Sequence, residues 1–410
     1  MSRIRPFRRV SDGPAFAPAT TTVDGHKLTL RVDGSTRLAR VMELIGGARE
    51  SLRLFYYIFM DDPVGSDVLA ALIAARARGV EVTLLVDGFG SSSVPDSFFQ
   101  PLVDAGGRLG RFIPHKGRRY LLRNHQKMLI ADEHVALIGG ANIADDYFRD
   151  TETQDHWHDL MLEVDGPQAV HLATYFDALH GWMRSRKQGI RRLQGILAAT
   201  SELTGPLRWV MGGPFQRFNP LARALRADLD AATEVDMVQA YFAPEFTFLR
   251  RLGRVARRGR LRLVTAAKSD NTTTIGAARH CYGLLMRRGA SIFEYTLTRL
   301  HMKLIIADDI VYIGSANFDA RSIFINVELM LRIDDAAFAN RVRALFESQL
   351  ETCRKIDRAW LKQVSGPFRR LRWFLAYFLF STLDYTITRR INIGPDRRRW
   401  RRSSRSATLD

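Results

Sequence analysis

The sequence predicts an α/β protein of two similar α-β-α sandwich domains related by a pseudo-two-fold axis, followed by a basic amphipathic tail. Three observations predict it. Strand-like runs alternate with helix-like stretches, their order repeats in the second half of the chain, and one polar motif recurs at the matching place in each half.

In the first half an aromatic and β-branched run at 54–59 leads to a helix-like stretch at 67–78, with Ser66 as the expected N-cap and Gly79 as the stop. A buried strand at 80–86 follows. In the second half, 235–242, 248–258, Gly259 and 260–264 repeat that order. Farther on, His125-Gln126-Lys127 and Gly139-Gly140-Ala141-Asn142 are matched by His301-Met302-Lys303 and Gly314-Ser315-Ala316-Asn317, and Asp159-Leu160-Met161-Leu162 by Glu328-Leu329-Met330-Leu331. The first domain is expected at 1–199 and the second at 200–365. The basic segment 185–206 loses the strand pattern and suits a connection.

The 410 residues carry 61 Lys plus Arg against 43 Asp plus Glu, a formal charge of +18, while 46% of positions are hydrophobic. Such a chain can bury two cores and is neither disordered nor a disulfide scaffold. The cations are 53 Arg and 8 Lys. Guanidinium binds phosphate bidentately, so the bias favours anionic partners, although genomic composition can also produce it. Cys281 and Cys353 form no metal-type spacing and fit a reducing compartment. Residues 1–18 lack the apolar core of a signal peptide or span, so no export is expected.

Both copies of the motif read His-x-Lys-x-x-x-x-Asp: His125, Lys127, Asp132 and His301, Lys303, Asp308. Chance places two copies in roughly one chain of 10,000. Strand alternation turns His and Lys to one face, presenting a nucleophile beside a cation. The Asp falls on the opposite face, too far along a straight strand to touch the same phosphate, and reads as a hairpin-turn residue. The returning strand brings Gly140 with Asn142, and Ser315 with Asn317, back beside the His as expected phosphate contacts through backbone and amide N–H groups. Asp159 and Glu328 are the expected acceptors that fix each imidazole's tautomer, each on a strand crossing the sheet near its own His. One Lys, His and Asn from each half make a single site only if the halves face each other. Two lysines and neutral donors can neutralise a phosphodiester, so no metal or other cofactor is expected. One imidazole then attacks phosphorus while the other protonates the leaving alcohol.

These paired motifs resemble the phospholipase D superfamily over about residues 40 to 350. Tyr57-Ile58-Phe59, Arg123-Asn124-His125, Asn142-Ile143-Ala144-Asp145 and Asn317-Phe318-Asp319-Ala320-Arg321-Ser322, with Asn326 and Glu328, look more narrowly like a bacterial cardiolipin synthase. The resemblance implies six catalytic motif residues, His125, Lys127, Asp132, His301, Lys303 and Asp308, with His125 the nucleophile and His301 the general acid. It implies that two phosphatidylglycerol molecules become cardiolipin and glycerol through a phosphohistidine. The chain looks like the shorter branch, without the N-terminal transmembrane pair of many such synthases. One departure stands out. The gap from Asp308 to Gly314 is one residue shorter than that from Asp132 to Gly139, which leaves the register of Asn317 open.

The region 366–410 carries 11 Arg and 3 Asp around an apolar stretch at 373–383, about half the roughly 20 residues that span a bilayer. Aromatic residues beside clustered Arg suit the headgroup boundary of an anionic bilayer. The expectation is a peripheral protein on the cytoplasmic side of the cell inner membrane, with phosphatidylglycerol and cardiolipin as anionic phospholipid partners. The tail can also dock on the second domain, one face packed and the other wet. A nuclease of the same superfamily, a phospholipase D hydrolase or another phosphatidyltransferase are the rival readings. The lipid-suited tail weighs against nucleic acid.

Overall fold

Each motif strand ends on an Asp about which a hairpin turns. The computed structural model describes residues 18, 20–113, 122–148, 156–215 and 219–383. Lys127–Ala131 pairs antiparallel with Val135–Gly139, Ala131 facing Val135, and Asp132 and Glu133 between them take left-handed φ angles of 51° and 54°. Lys303–Ala307 pairs likewise with Ile310–Gly314, Ala307 facing Ile310, and there only Asp308 is left-handed, at 48°. The missing residue is lost from the turn alone. Met128 faces Ile138 just as Leu304 faces Ile313, so Asn142 and Asn317 return in one register.

The Asp132 carboxylate accepts from the backbone amides of Arg49, Glu50 and Ser51 at 2.8–3.2 Å, and Asp308 from those of Thr233 and Glu234 at 2.8–3.2 Å. Partial burial would raise the Asp132 carboxyl, yet these amides hold it below the ordinary value. The motif Asp thus fastens the hairpin to the neighbouring strand's start.

Around each hairpin a mixed eight-stranded sheet is assembled. From edge to edge the first runs Thr20–Val23, His26–Arg31, Met161–Asp165, Val135–Gly139, Lys127–Ala131, Ser51–Tyr56, Glu81–Asp87 and Arg108–Phe112. The second runs Leu207–Gly212, Glu328–Asp334, Ile310–Gly314, Lys303–Ala307, Glu234–Gln239, Arg260–Ala266, Ser291–Tyr295 and Cys353–Ile356. The duplicated strands stand in the same order. Thr20–Val23 and Cys353–Ile356 are additions at opposite edges.

Local chemistry corrects one boundary. The helix after the first strand is Pro63–Ala77, capped by the Asp62 carboxylate, which accepts from Gly65 N–H at 2.8 Å. Pro63 needs no N–H partner and presets φ, so the helix starts ahead of Ser66, whose own N–H already donates to the Asp62 carbonyl. Gly79 stops it at a φ of 91°.

The halves do not keep separate interiors. Each has an outer core, but a third core lies between the sheets and mixes Leu30, Ile130 and Leu162 with Trp209, Ile306 and Leu331, closed by the helices Gln168–Arg184 and Ala336–Leu350. The segment expected as a connection holds a helix, Ile190–Thr200, whose Leu193 and Leu197 join that core. Burying both sheet faces on one another fixes how the halves meet.

Within the tail, the helix Pro367–Phe378 packs Trp373 and Ala376 against Thr272–Met286, and the Tyr377 hydroxyl donates to the Pro244 carbonyl at 2.9 Å. Its other face leaves Phe368, Leu371, Phe374 and Leu375 exposed. Among the described residues no helix is long and apolar enough to cross a membrane. The arginines at 389–402, Asp384, Gly394 and Pro395 lie outside the described residues, as does the stretch 1–17.

Asp132→Ala should destabilise the protein by about 1–2 kcal/mol, since the amides of Arg49, Glu50 and Ser51 lose their shared charged acceptor. Thermal unfolding measures this. A turnover number unchanged in the folded fraction would mark the motif Asp as a structural residue, whereas a hundredfold loss at unchanged Tm would give it a chemical role.

Candidate active site

The stretch leading into each histidine is held by the other half. Arg123 and His125 bracket Val327 in a parallel bridge, with His125 N–H donating to the Val327 carbonyl at 2.9 Å and Val327 N–H to the Arg123 carbonyl at 2.8 Å. In the same way Arg299–Leu300 pairs with Trp157–His158, and His301 N–H donates to the His158 carbonyl at 2.8 Å. These main-chain ladders place each imidazole against a carboxylate from across the pseudo-two-fold axis. His125 Nδ1 lies 3.1–3.2 Å from the two Glu328 oxygens, and His301 Nδ1 lies 2.7 Å from Asp159 Oδ2. The expectation that each carboxylate serves the His of its own half is therefore wrong, because the crossover pairing is made by segments ahead of the sheets. An ionised carboxylate only accepts, so each Nδ1 carries the proton and each Nε2 is left for chemistry.

Gly140 and Ser315, expected at the phosphate, support these carboxylates instead. A Cβ on Gly140 would stand 2.4 Å from Asp159 Oδ1, and its N–H already donates to the Leu160 carbonyl. At the equivalent place the Ser315 hydroxyl donates to Glu328 Oε2 and accepts from Leu329 N–H at 3.0 Å. The longer carboxylate has a hydroxyl to hold it, and the shorter one takes the space of a missing side chain.

Both histidines line one cavity of about 530 Å3, together with Asn142, Asn317, Asn326 and Arg321. Asn142 is already committed: its Oδ1 accepts from Ile58 N–H and its Nδ2 donates to the Tyr147 hydroxyl, each at 3.0 Å. The amide oxygens of Asn317 and Asn326 are buried without a hydrogen-bond partner among the described residues. Lys127 and Lys303 are each 1% exposed and donate to the main-chain carbonyls of His125 and His301. Asp132 and Asp308 are not brought to the cavity.

Burial sets the electrostatics. It lowers His125, against the pull of Glu328, and carries His301 down to about 3, with the Lys303 charge adding to the fall. Burial also lowers Lys127 well below its ordinary value and Lys303 to about 8. Asp159 would rise through burial, but its contact with His301, and then Lys303 and Arg37, hold it below the usual carboxylate value. Asp319 on the cavity wall is raised to about 6 by burial. Two lysines and two histidines, each able to hold a proton, make a centre that can receive an anionic group.

Several wall residues escaped sequence reasoning. Tyr147 and Trp157 stack on each other and meet the His301 ring edge-on at 5.2 Å, and the buried Arg37 guanidinium donates to the Tyr147 carbonyl at 2.6 Å. Tyr57 meets His125 at 4.8 Å. Phe380, from the tail, also reaches the cavity. Two signals are available: Tyr57 opens the Tyr57-Ile58-Phe59 run, and Trp157 stands two residues before Asp159. These aromatic partners have no counterpart in the second copy, where Ala240 stands in place of Tyr57.

A model of the cardiolipin synthase, PLD-like domain matches residues 41–180 and 225–350. The chain belongs to that family. It is 29% identical to cardiolipin synthase B of Escherichia coli O6:H1 over 91% of this chain and 94% of that one, and 27% identical to cardiolipin synthase 1 of Bacillus cereus over 89% and 74%. Its fold is similar to the crystal structure of a phosphatidylserine synthase from Haemophilus influenzae, with a TM-score of 0.69 at 13% identity, covering 86% of this chain and 92% of that one. The two sheets and their duplicated order are thus the family's PLD-like fold.

Gly140→Ala should displace Asp159 from His301 and lower kcat about a hundredfold, with Tm nearly unchanged. An activity within twofold of the parent would show that the carboxylate is not held by that contact. Lys303 is protonated below about pH 8, so a rate that depends on its charge is full below that value and falls as the pH rises through it. In a pH–rate series Lys303→Arg should shift this alkaline limb upward, and a limb left in place would assign it to another group.

Proposed function

We propose that this phosphatidyltransferase is a cardiolipin synthase that moves a phosphatidyl group from one phosphatidylglycerol to another and releases glycerol. The observation that carries the reading is the pair of imidazoles, each with Nδ1 on a carboxylate of the opposite half, lining one cavity. His125 Nε2, neutral in its buried setting, attacks phosphorus. The bond from phosphorus to the glycerol oxygen breaks, and His301 gives that oxygen a proton. The hydroxyl of a second phosphatidylglycerol then enters, His301 takes its proton, and the new P–O bond forms as the P–N bond to His125 breaks. The electron pairs return and the enzyme is regenerated.

His301 must be protonated to start this cycle, yet burial keeps it neutral in the free site. The incoming phosphodiester supplies the missing negative charge and raises it, so protonation is coupled to substrate binding. Lys127 and Lys303 offset the charge that develops on the phosphoryl oxygens, and the buried amide oxygens of Asn317 and Asn326 are acceptors open to a hydroxyl of the lipid headgroup. Asp132 and Asp308 act through the hairpins. Arg123 and Arg321 on the wall attract an anionic lipid, and the exposed aromatic face of the C-terminal helix suits a protein bound peripherally to the cytoplasmic face of the inner membrane.

On phosphatidylglycerol liposomes the parent should form a diacyl dimer lipid and release one glycerol per turnover. His125→Ala should form none, a loss of about 10⁴-fold or more, with vesicle binding retained. With phosphatidyl-p-nitrophenol, whose leaving group departs without a proton, His301→Ala should accumulate a phosphatidyl group on His125, visible by intact-protein mass spectrometry as an acid-labile adduct. Phosphatidic acid as the sole lipid product would assign the enzyme to hydrolysis, and an adduct on His301 of His125→Ala would reverse the two histidine roles.

A further inference from the structure

A second cavity, of about 850 Å3, lies apart from His125 and His301, between the helices Thr272–Met286, Arg358–Val364 and Pro367–Phe378. Helical spacing builds it. Leu284 and Arg287 lie one turn apart, as do Arg358 and Lys362, and Arg370 and Phe374, so each element offers one cation and apolar surface or a second cation. No acidic residue lines this cavity among the described residues. Arg279 at its edge is neutralised by a paired contact with Glu294. Arg287, Arg358, Lys362 and Arg370 form no ion pair with a described carboxylate: Arg358 reaches only the Met286 carbonyl at 3.4 Å, and Arg370 the Ser365 hydroxyl at 3.1 Å. Four cations gathered without a counter-charge repel one another, and an anion relieves that repulsion.

The floor of the cavity is apolar, from Leu284 to Trp373, and its rim continues into Leu371 and Phe374, exposed by 55% and 46%. An inorganic anion or a nucleic-acid backbone has no use for that surface. A phospholipid uses both parts, with phosphate on the cations and acyl chains along the aromatic rim. Just past the end of the same helix, in the turn Leu379–Leu383, Phe380 enters the wall of the reaction cavity. The basic cleft and the reaction cavity therefore flank one docked helix.

We propose that this cleft is a second, non-reacting site for an anionic phospholipid of the bilayer, and that lipid bound there seats the reaction cavity on the membrane surface. The inference extends the lipid-transfer reading above, but its test is independent of it. Full-length protein is mixed with phosphatidylcholine vesicles holding 30% phosphatidylglycerol, and partition is measured by flotation for the parent, for Arg287→Gln/Arg358→Gln/Lys362→Gln, and for a control that removes three exposed arginines elsewhere, Arg191→Gln/Arg192→Gln/Arg257→Gln. The cleft variant should bind about tenfold more weakly or less, at unchanged Tm, and the control within about twofold of the parent. Hydrolysis of the soluble diester bis-p-nitrophenyl phosphate, which needs no vesicle, should be equal in parent and cleft variant.

Equal loss in the cleft and control variants would reduce the effect to general charge and overturn the proposal, as would retention of binding by the cleft variant. If glutamines unfold the cleft, the matching Arg287→Lys/Arg358→Lys variant keeps the charge and should keep binding. Failure of that variant at parental Tm would also overturn it. A parent that binds vesicles through the cleft but makes no dimer lipid would sink the synthase reading and leave this one standing.

Discussion

Each imidazole of the candidate centre is oriented by a carboxylate that the other half of the chain supplies. His125 depends on Glu328 and His301 on Asp159, so neither half contains a complete imidazole–carboxylate pair. The exchange is made possible by two short parallel pairings, Asn124 with Val327 and Arg299–Leu300 with Trp157–His158. Those pairings exist only because the two sheets pack on a shared core. Loosening the core at Trp209 or Ile306 would therefore disturb the imidazoles before it unfolded either sheet.

Burying four cationic or cation-forming groups around one small space has a cost that hydrogen bonds only partly offset. The fold meets it by letting the groups lose charge: burial lowers both lysines and both histidines. In the proposed reaction a phosphodiester would act as the missing counter-ion, so that the site gains protons when it gains substrate. The motif carboxylates take no part in this balance. Placed at the far ends of the hairpins, Asp132 and Asp308 fix the strands that carry the lysines.

The repeat is symmetrical in its strands and unsymmetrical at its centre. Tyr57, Tyr147 and Trp157 all come from the first half, and Ala240, Ser322 and Asn326 hold the corresponding places in the second. His301 sits in a dry aromatic box while the His125 side chain is more exposed, 12% against 6%. Two chemically identical motifs thus acquire different surroundings, which is the physical basis for giving them different roles. The C-terminal helix adds to the asymmetry, since it docks on the second half alone and brings Phe380 to the cavity.

The duplication, the α/β class, the two His-Lys pairs and the turn role of the Asp were legible in the sequence because each rests on local periodicity or on a motif repeated at matching places. The side-chain alternation of a strand is enough to put His125 beside Lys127, and a left-handed turn favours Asp whatever surrounds it. Other features depend on which segments meet in space. That Glu328 serves His125, that Gly140 leaves room for Asp159, and that Tyr147 walls His301 are contacts between residues far apart in the chain, and no spacing encodes them. The start of the helix at Pro63 is local too, but it rests on the Asp62 cap and on proline's fit to a first turn, which the hydrophobic pattern does not carry. Sequence by itself determined the reacting groups and the strands that present them, through covalent neighbours and period. Only the packing of two twisted sheets on one core decided which carboxylate orients which imidazole, since that choice is made by the geometry of the interface between the halves.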